Sequence, residues 1–399
     1  MAKSLKTFVR ESAIKKEVAT WTIQDCDDYL KKHNDDVEKG SIMAKKINIV
    51  MEHQEILKNI ESAKKKKGDQ RENLLKDVPF DLLIKNAPKE VRDPEDKKLR
   101  NYQKHTGVYL WSLGYDIDKF LGAGANAVTW SLKDSDKVLR VACDRTYLGF
   151  IHLRKSVSEY KNAEEMERIL ELKSNKPNHK NPKHILTFTT VLKDKKRGKS
   201  IFEAEKAKHG DLEIYSEKYD LKTAIQFLSD ILKGIKKLHD KGYSHNDIKP
   251  ANILISDKIK QKGDTRKAAY VADLGNVTQF DKSKKFAAPK LHAPDYNNTN
   301  KEAVKKRDVY SAGALTLFKL ANIKNYKNYL SVTNYLVKNH SRKFYNNYLK
   351  KIYPNISEES EKDLLTFLDF LEKMVQPNYK KRIDLETAIT KVKKLKNTL

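Results

Sequence analysis

The run Tyr243-Ser244-His245-Asn246-Asp247-Ile248-Lys249-Pro250-Ala251-Asn252-Ile253-Leu254, followed by Ala272-Asp273-Leu274-Gly275, sets two carboxylates, an ammonium and a carboxamide in a fixed order. Phosphoryl transfer asks a protein mainly for positioning and charge neutralisation. The expected parts are a base or orienting carboxylate, oxygen ligands for a metal, and cations for the phosphates. Asp247, Asn252, Asp273 and Lys249 are residues of those types. Taken singly, each reads as an exposed polar group in a turn; the order in which they occur points to chemistry.

These residues resemble the motifs of the protein-kinase superfamily, whose catalytic loop reads H-R-D-x-x-x-x-N and whose metal-binding turn reads D-F-G. Here the loop reads His245-Asn246-Asp247 with Asn252, and the turn reads Asp273-Leu274-Gly275. The resemblance implies that Asp247 accepts or orients the proton of a substrate hydroxyl, while Asn252 and Asp273 hold Mg2+ against the phosphates of ATP. Lys249, two residues past the aspartate, looks like the Ser/Thr-directed form of the loop and would steady the transferred phosphate. Further matches follow in the C-lobe, between about 220 and 395. Ala293-Pro294-Asp295 stands where the family has A-P-E, Arg307-Asp308-Val309-Tyr310-Ser311-Ala312-Gly313 resembles the start of the central C-lobe helix, and Gln376 to Ile383 matches the region of a structural arginine. Arg382 and Asp295 are therefore expected to form a buried ion pair. Small-molecule kinases of related fold commonly lack these three features, so the resemblance implies a protein substrate.

Upstream, Phe120 to Trp130 reads as strand, glycine turn, strand. Backbone amides of Gly122, Ala123 and Gly124 would approach phosphate, although Ala127 stands where the family's third glycine would be. The strand Lys137 to Ala142 matches V-A-I-K. With Val138 facing adenine, period-two alternation turns Arg140 into the cleft, so the family's lysine is here an arginine. The other register, with Lys137 in that place, would set Ser135 against adenine and is disfavoured. Arginine keeps the charge but replaces a point donor by a planar fork. Two readings follow: an active kinase adapted to Arg140, or a degenerate fold that binds nucleotide poorly and acts by contact. The joint presence of Asp247, Lys249, Asn252 and Asp273 favours the first. Glu159 shares a helical face with Ala163, Met166 and Leu170 and is the expected partner of Arg140, with Glu165 second; a solvated helix face is the plainer reading of these acids. Ile201 to Leu212 resembles the hinge, where backbone groups from Glu203 to Ala207 would bind adenine. The apolar periodicity from Leu221 to Lys241 predicts a core helix.

Asn246 departs from H-R-D in a second way. Family members switched on by activation-loop phosphorylation commonly receive the phosphate on that arginine. Its absence implies independence from such phosphorylation. The H-N-D loop with its D-L-G turn also resembles certain secreted effector kinases of pathogenic bacteria.

At 399 residues the chain can hold one two-lobed kinase domain of about 280 residues and roughly a hundred more. Cys26 and Cys143 cannot form a disulfide framework, which points to a reducing compartment. With no apolar run of membrane-spanning length and no signal-peptide core, the expected location is cytoplasmic, in the cell that makes the chain or in a host cell that receives it. The net charge of +27, from 81 Lys and Arg against 54 Asp and Glu, favours polyanions or an acidic protein partner. The surplus is dispersed along the chain, without a basic stripe interleaved with aromatics, so no specific nucleic-acid module is expected. Ser256 to Lys267 reads as a charged hairpin. In the first hundred residues, Ile42 to Ile60 suggests an amphipathic helix, the lysine run and Gly68 a break, and Leu74 to Ile84 a further element. This extension is either docked on the N-lobe or regulatory; the sequence leaves both open, as it does the oligomeric state.

The fold expected is therefore α+β: a bilobal, protein-kinase-like domain over 106–395, with an N-lobe over 106–205, a C-lobe over 206–395 and a lysine-rich, mainly helical extension over 1–105. The function implied is Ser/Thr protein phosphorylation with Mg-ATP. A pseudokinase acting as a binding or scaffolding module is the alternative, and a small-molecule phosphotransferase a weaker third.

Overall fold

The computed structural model describes residues 12–33, 42–93, 101–123, 127–142, 184–186, 188–194, 199–217, 219–259, 265–282, 291–323 and 329–398. The chain forms two compact units, one of Met1–Lys155 with Asp194–Ile201, the other of Ser156–Lys193 with Phe202–Leu399.

After a helical stretch over 12–18, the first unit carries helices α1 (Ile23–His33), α2 (Ile42–Lys64), α3 (Gly68–Leu75) and α4 (Phe80–Asn86), a single turn at Lys89–Arg92, and α5 (Asn101–Ser112). Three antiparallel strands follow: β1 (Ile117–Ala123), β2 (Ala127–Leu132) and β3 (Lys137–Ala142). The lysine run and Gly68 do interrupt the helix, and Gly68 opens α3. Its N–H donates to Gly114 O at 3.0 Å, and both glycines have positive φ, 51° and 89°. A Cβ on Gly114 would lie 2.3 Å from Gly68 O, so this crossing needs glycine. On α2, Ile47, Val50, Leu57 and Ile60 are buried whereas Met43 and Met51 remain largely exposed, so the apolar stripe is narrower than the sequence pattern. Arg71 joins the extension to the sheet. It donates to Ala63 O on α2, to Tyr115 O and to Asp116 Oδ1 ahead of β1. Trp130 on β2 is fully buried and donates from Nε1 to Thr106 Oγ1 on α5 at 2.9 Å.

After β4 (Phe188–Asp194) and β5 (Lys199–Glu205), the second unit is mainly helical. Its spine is α6 (Leu221–His239), capped by Asp220, whose side chain accepts Thr223 N–H at 2.9 Å. The apolar stripe predicted from Leu221 to Lys241 is this helix, with Phe227, Leu228, Ile231, Leu232, Ile235 and Leu238 buried. The short strand β6 (Tyr243–Ser244) leads into the catalytic-loop sequence. The charged hairpin is present as β7 (Ile253–Ile259) and β8 (Thr265–Val271), paired from Ile253↔Val271 to Ile259↔Thr265. It reaches further into the core than its charges suggest, because Ile253, Ile255, Ala269 and Val271 at its base are fully buried. Asp230 on α6 anchors it by accepting both guanidinium nitrogens of Arg266, at 2.9 and 3.1 Å. The strand β9 (Thr278–Gln279) pairs antiparallel with β6, Ser244 against Thr278. Helices α7 (Lys301–Leu320), α8 (Tyr329–Phe344), α9 (Glu358–Met374) and α10 (Leu385–Thr398) complete the unit around one large core. The α+β class is as expected, a sheet preceding a helical region, with helices added at the N-terminus.

Candidate active site

The stretch between β6 and β7 is held from below by α7. Asp308, 1% exposed, accepts the backbone N–H groups of His245 at 2.8 Å and Asn246 at 2.9 Å, the Ser244 hydroxyl at 2.9 Å, and His239 Nε2 at 2.9 Å. Burial alone would raise its carboxyl, but the hydrogen bond and charge of His239, with the pull of His245, bring it down to about 2. Asn246 adopts the left-handed region, φ 60°, which asparagine tolerates better than most residues. Asp247 N–H lies 3.2 Å from His245 Nδ1, and His245 Nε2 lies 3.1 Å from Ala272 O, so both ring nitrogens are engaged inside the fold.

This backbone presents a carboxylate with two unlike oxygens. Asp247 Oδ2 accepts from Lys249 Nζ at 2.6 Å, Asn252 Nδ2 at 3.0 Å and Asn276 Nδ2 at 3.2 Å. Oδ1 is buried and has no hydrogen-bond partner among the described residues. A carboxylate oxygen in that condition is costly unless it serves a ligand. Asn252 follows from a 3-10 turn, Pro250–Asn252, and its Nδ2 also donates to Asp247 O at 2.8 Å. With Nδ2 committed to Asp247, Oδ1 of Asn252 remains as the face that can meet a cation. Ala272 N–H donates to Asn252 O at 2.9 Å, which fixes the Asp273 turn one residue from Asn252. Asp273 is left-handed, φ 63°, and accepts Gly275 N–H at 3.4 Å.

A carboxamide and a carboxylate are hard oxygen donors of the kind Mg2+ takes while keeping phosphate and water ligands. Among the described residues no group of three or more His, Cys, Asp or Glu could hold a metal by itself. Asn252 and Asp273 thus fit a cation that shares its coordination with phosphate.

The remaining sequence-designated residues fall in both units. In the first, Gly122 is the penultimate residue of β1, before the exposed Ala123, and a Cβ at Gly122 would meet no atom within 4 Å, so packing within the protein does not demand glycine there. Val138 and Arg140 share one face of β3, the arginine half-buried, while Leu139 and Val141 fill the other face at 0% exposure. Gly124 and Glu159 lie outside the described residues. Half-buried Glu203, in β5, belongs to the second unit, as does Ala207, whose O accepts Gly210 N–H at 3.3 Å. In the second unit His209 N–H and Leu212 N–H donate to Ile255 O and Ile253 O, which sets the segment after β5 alongside β7. The expected ion pair is formed: Arg382 Nη2 lies 2.9 Å from Asp295 Oδ1, its guanidinium 5.0 Å from the Tyr310 ring.

Sequence reasoning missed Asn276 as a partner of Asp247, and it named Asp308 without its grip on the loop. It also missed His292, whose Nε2 meets Asn246 O at 2.8 Å and whose ring burial makes harder to protonate. A carboxamide set between the apolar Leu274 and Val277 was the available signal for Asn276.

The model of the protein kinase domain matches residues 115–392. Serine/threonine-protein kinase ArnS of Sulfolobus acidocaldarius is 33% identical over 116 residues, 26% of this chain and 18% of that protein. Calcium-dependent protein kinase 24 of Arabidopsis thaliana is 26% identical over 216 residues, 53% of this chain and 34% of that protein. Calcium-dependent protein kinase 7 of the same plant is 22% identical over 282 residues, 68% of this chain and 47% of that protein. The chain therefore spans less than half the length of each of these relatives. With the family match extending over most of the sequence, from the first strand to the last helix, the chain belongs to the protein kinase family.

Proposed function

We propose that this chain is a Ser/Thr protein kinase that transfers the γ-phosphate of ATP to hydroxyls of protein substrates, without requiring phosphorylation of its own activation segment. The observation that carries this reading is the asymmetry of Asp247, with Oδ2 held by Lys249, Asn252 and Asn276 and Oδ1 buried without a partner among the described residues. Oδ1 is the atom that orients the substrate hydroxyl and takes its proton as the hydroxyl oxygen bonds to the γ-phosphorus and the bond to the bridging oxygen breaks, releasing ADP. Lys249 steadies the transferred phosphate. Asn252 and Asp273 hold Mg2+, which supplies charge neutralisation on the phosphate oxygens. Amides of Gly122, Ala123 and Gly124 and the fork of Arg140 bind phosphate, Glu159 orients Arg140, and Val138 with backbone groups from Glu203 to Ala207 binds adenine. The kinase domain occupies 106–395, with 1–105 as its extension, and the lysine surplus suits an acidic protein partner in the cytoplasm of the maker or of a host cell. Among the described residues no helix is long and apolar enough to cross a membrane.

Arg140 favours a second reading, a pseudokinase that works as a binding module. Both are tested by transfer from labelled Mg-ATP to the chain itself and to a generic basic protein. The kinase reading expects label with wild type and none with Asp247→Ala. Absence of transfer from wild type together with its recovery in Arg140→Lys would overturn it in favour of the binding module.

A further inference from the structure

Asn276 follows the Asp273 turn and reaches back to the catalytic loop by both ends. Its Nδ2 donates to Asp247 Oδ2 at 3.2 Å, and its backbone O accepts from Asn246 Nδ2 at 3.2 Å. The same Asn246 amide donates to Thr278 Oγ1 at 3.0 Å and to Ser244 O at 3.0 Å, while Asn246 Oδ1 accepts from the Ser244 hydroxyl at 3.2 Å. Two carboxamides, one on each segment, thereby stitch the loop bearing Asp247 to the turn bearing Asp273 where β6 pairs with β9. A carboxamide can meet a carboxylate only through its N–H face, so the orientation of Asn276 is set by Asp247.

We propose that Asn276 is a positioning residue of the transfer reaction. It fixes the rotation of the Asp247 carboxylate so that Oδ1 stays turned away from protein donors and available to the substrate hydroxyl, and Asn246 holds the Asn276 backbone in register for this. The coupling of base to metal turn is made by carboxamides of the chain itself, in contrast to one made by a phosphate. This inference rests on the kinase reading for its catalytic consequence, but the Asn276 to Asp247 hydrogen bond is open to test without it.

Three variants separate bulk from donation. Asn276→Leu keeps the size and removes the donor. Asn276→Asp keeps the shape and sets an acceptor against the Asp247 carboxylate, where two like charges cannot both be accommodated. Asn276→Asp combined with Asp247→Asn removes one of the two like charges. In thermal unfolding at pH 7.5 the single Asn276→Asp is expected to lower Tm more than Asn276→Leu, and to be relieved by Asp247→Asn. In steady-state kinetics Asn276→Leu is expected to lower kcat about tenfold with the KM for ATP unchanged, the size of effect that losing one hydrogen bond to a charged group gives. Equal Tm loss by Asn276→Asp in both backgrounds would overturn the inference whatever the activity. Full coupling with an unaltered kcat in Asn276→Leu would overturn the positioning role, whereas full coupling in a wild-type chain that transfers no phosphate would overturn the kinase reading and with it the catalytic consequence.

Discussion

Asp308 accepts the backbone N–H of His245 at 2.8 Å from a helix more than sixty residues further along the chain, which ties the loop bearing Asp247 to that helix. Removing the charge with Asp308→Asn would turn one accepting oxygen into a donor facing N–H groups. The cost expected in urea unfolding near neutral pH is about 2 kcal/mol or more. The pH dependence has a definite sign. Asp308 falls from the ordinary 3.8 to about 2 in the folded chain, so its contribution is complete above about 4 and is lost as pH falls towards 2. The stability gap between wild type and Asp308→Asn should therefore narrow across that window; a gap that stayed constant would contradict the assignment.

The pair of Arg382 and Asp295 gives a second test. The arginine side chain is fully enclosed and the aspartate 18% exposed, with Asp295 Oδ2 also accepting Tyr379 N–H at 2.7 Å. Arg382 further donates to Gln376 O and Pro377 O. Arg382→Ala takes the cation from the carboxylate, leaves Asp295 Oδ1 and these carbonyls without their donor, and should cost about 3–5 kcal/mol in unfolding. The double variant with Asp295→Ala should cost less than the sum of the two singles.

Much of this site could be read in the sequence because its residues are local. Asp247, Lys249 and Asn252 sit within one short loop, and their spacing alone sets which groups can meet. The hairpin of β7 and β8 and the stripe of α6 were legible for a related reason, since alternation and helical periodicity record which side faces the core. The Arg382 to Asp295 pair, distant along the chain, was reached only through the resemblance. What stayed hidden was the bonding between segments. Nothing near Asp308 says that its carboxylate caps a loop, and nothing near Asn276 says that its amide reaches Asp247, because both depend on how β6, β9 and α7 come together. The exposure of Met43 and Met51 was hidden likewise, for helical spacing gives a face but not the width that neighbours will cover.

Asn246 carries the prediction about regulation. The side chain is buried, and its amide is occupied with Ser244 O, Asn276 O and Thr278 Oγ1, none of which is a phosphate. Phosphatase treatment of the purified chain is expected to leave its transfer rate within about twofold, as the assembling contact is already made inside the fold. A rate that collapsed on treatment would show that a phosphate is needed after all.

Arg71 bears on the N-terminal extension. At 4% exposure it donates to Ala63 O at 3.2 Å, Tyr115 O at 3.1 Å and Asp116 Oδ1 at 2.7 Å, and it stacks 5.6 Å from the Trp111 ring. Burial tends to raise the Asp116 carboxyl, but the hydrogen bonds and charges of Arg71 and Lys67 hold it below its ordinary value. Arg71→Ala strips three acceptors of one donor group and should cost about 2 kcal/mol or more. Because Asp116 is depressed in the folded state, its share of that cost is present above the ordinary carboxylate range and is lost on acidification, so the gap to wild type should shrink at low pH without closing. The shares of Ala63 O and Tyr115 O do not titrate and set the residue that remains. An extension that moved independently of β1 would show neither the cost nor its pH dependence, and limited proteolysis between α3 and α5 would then be as fast in wild type as in Arg71→Ala.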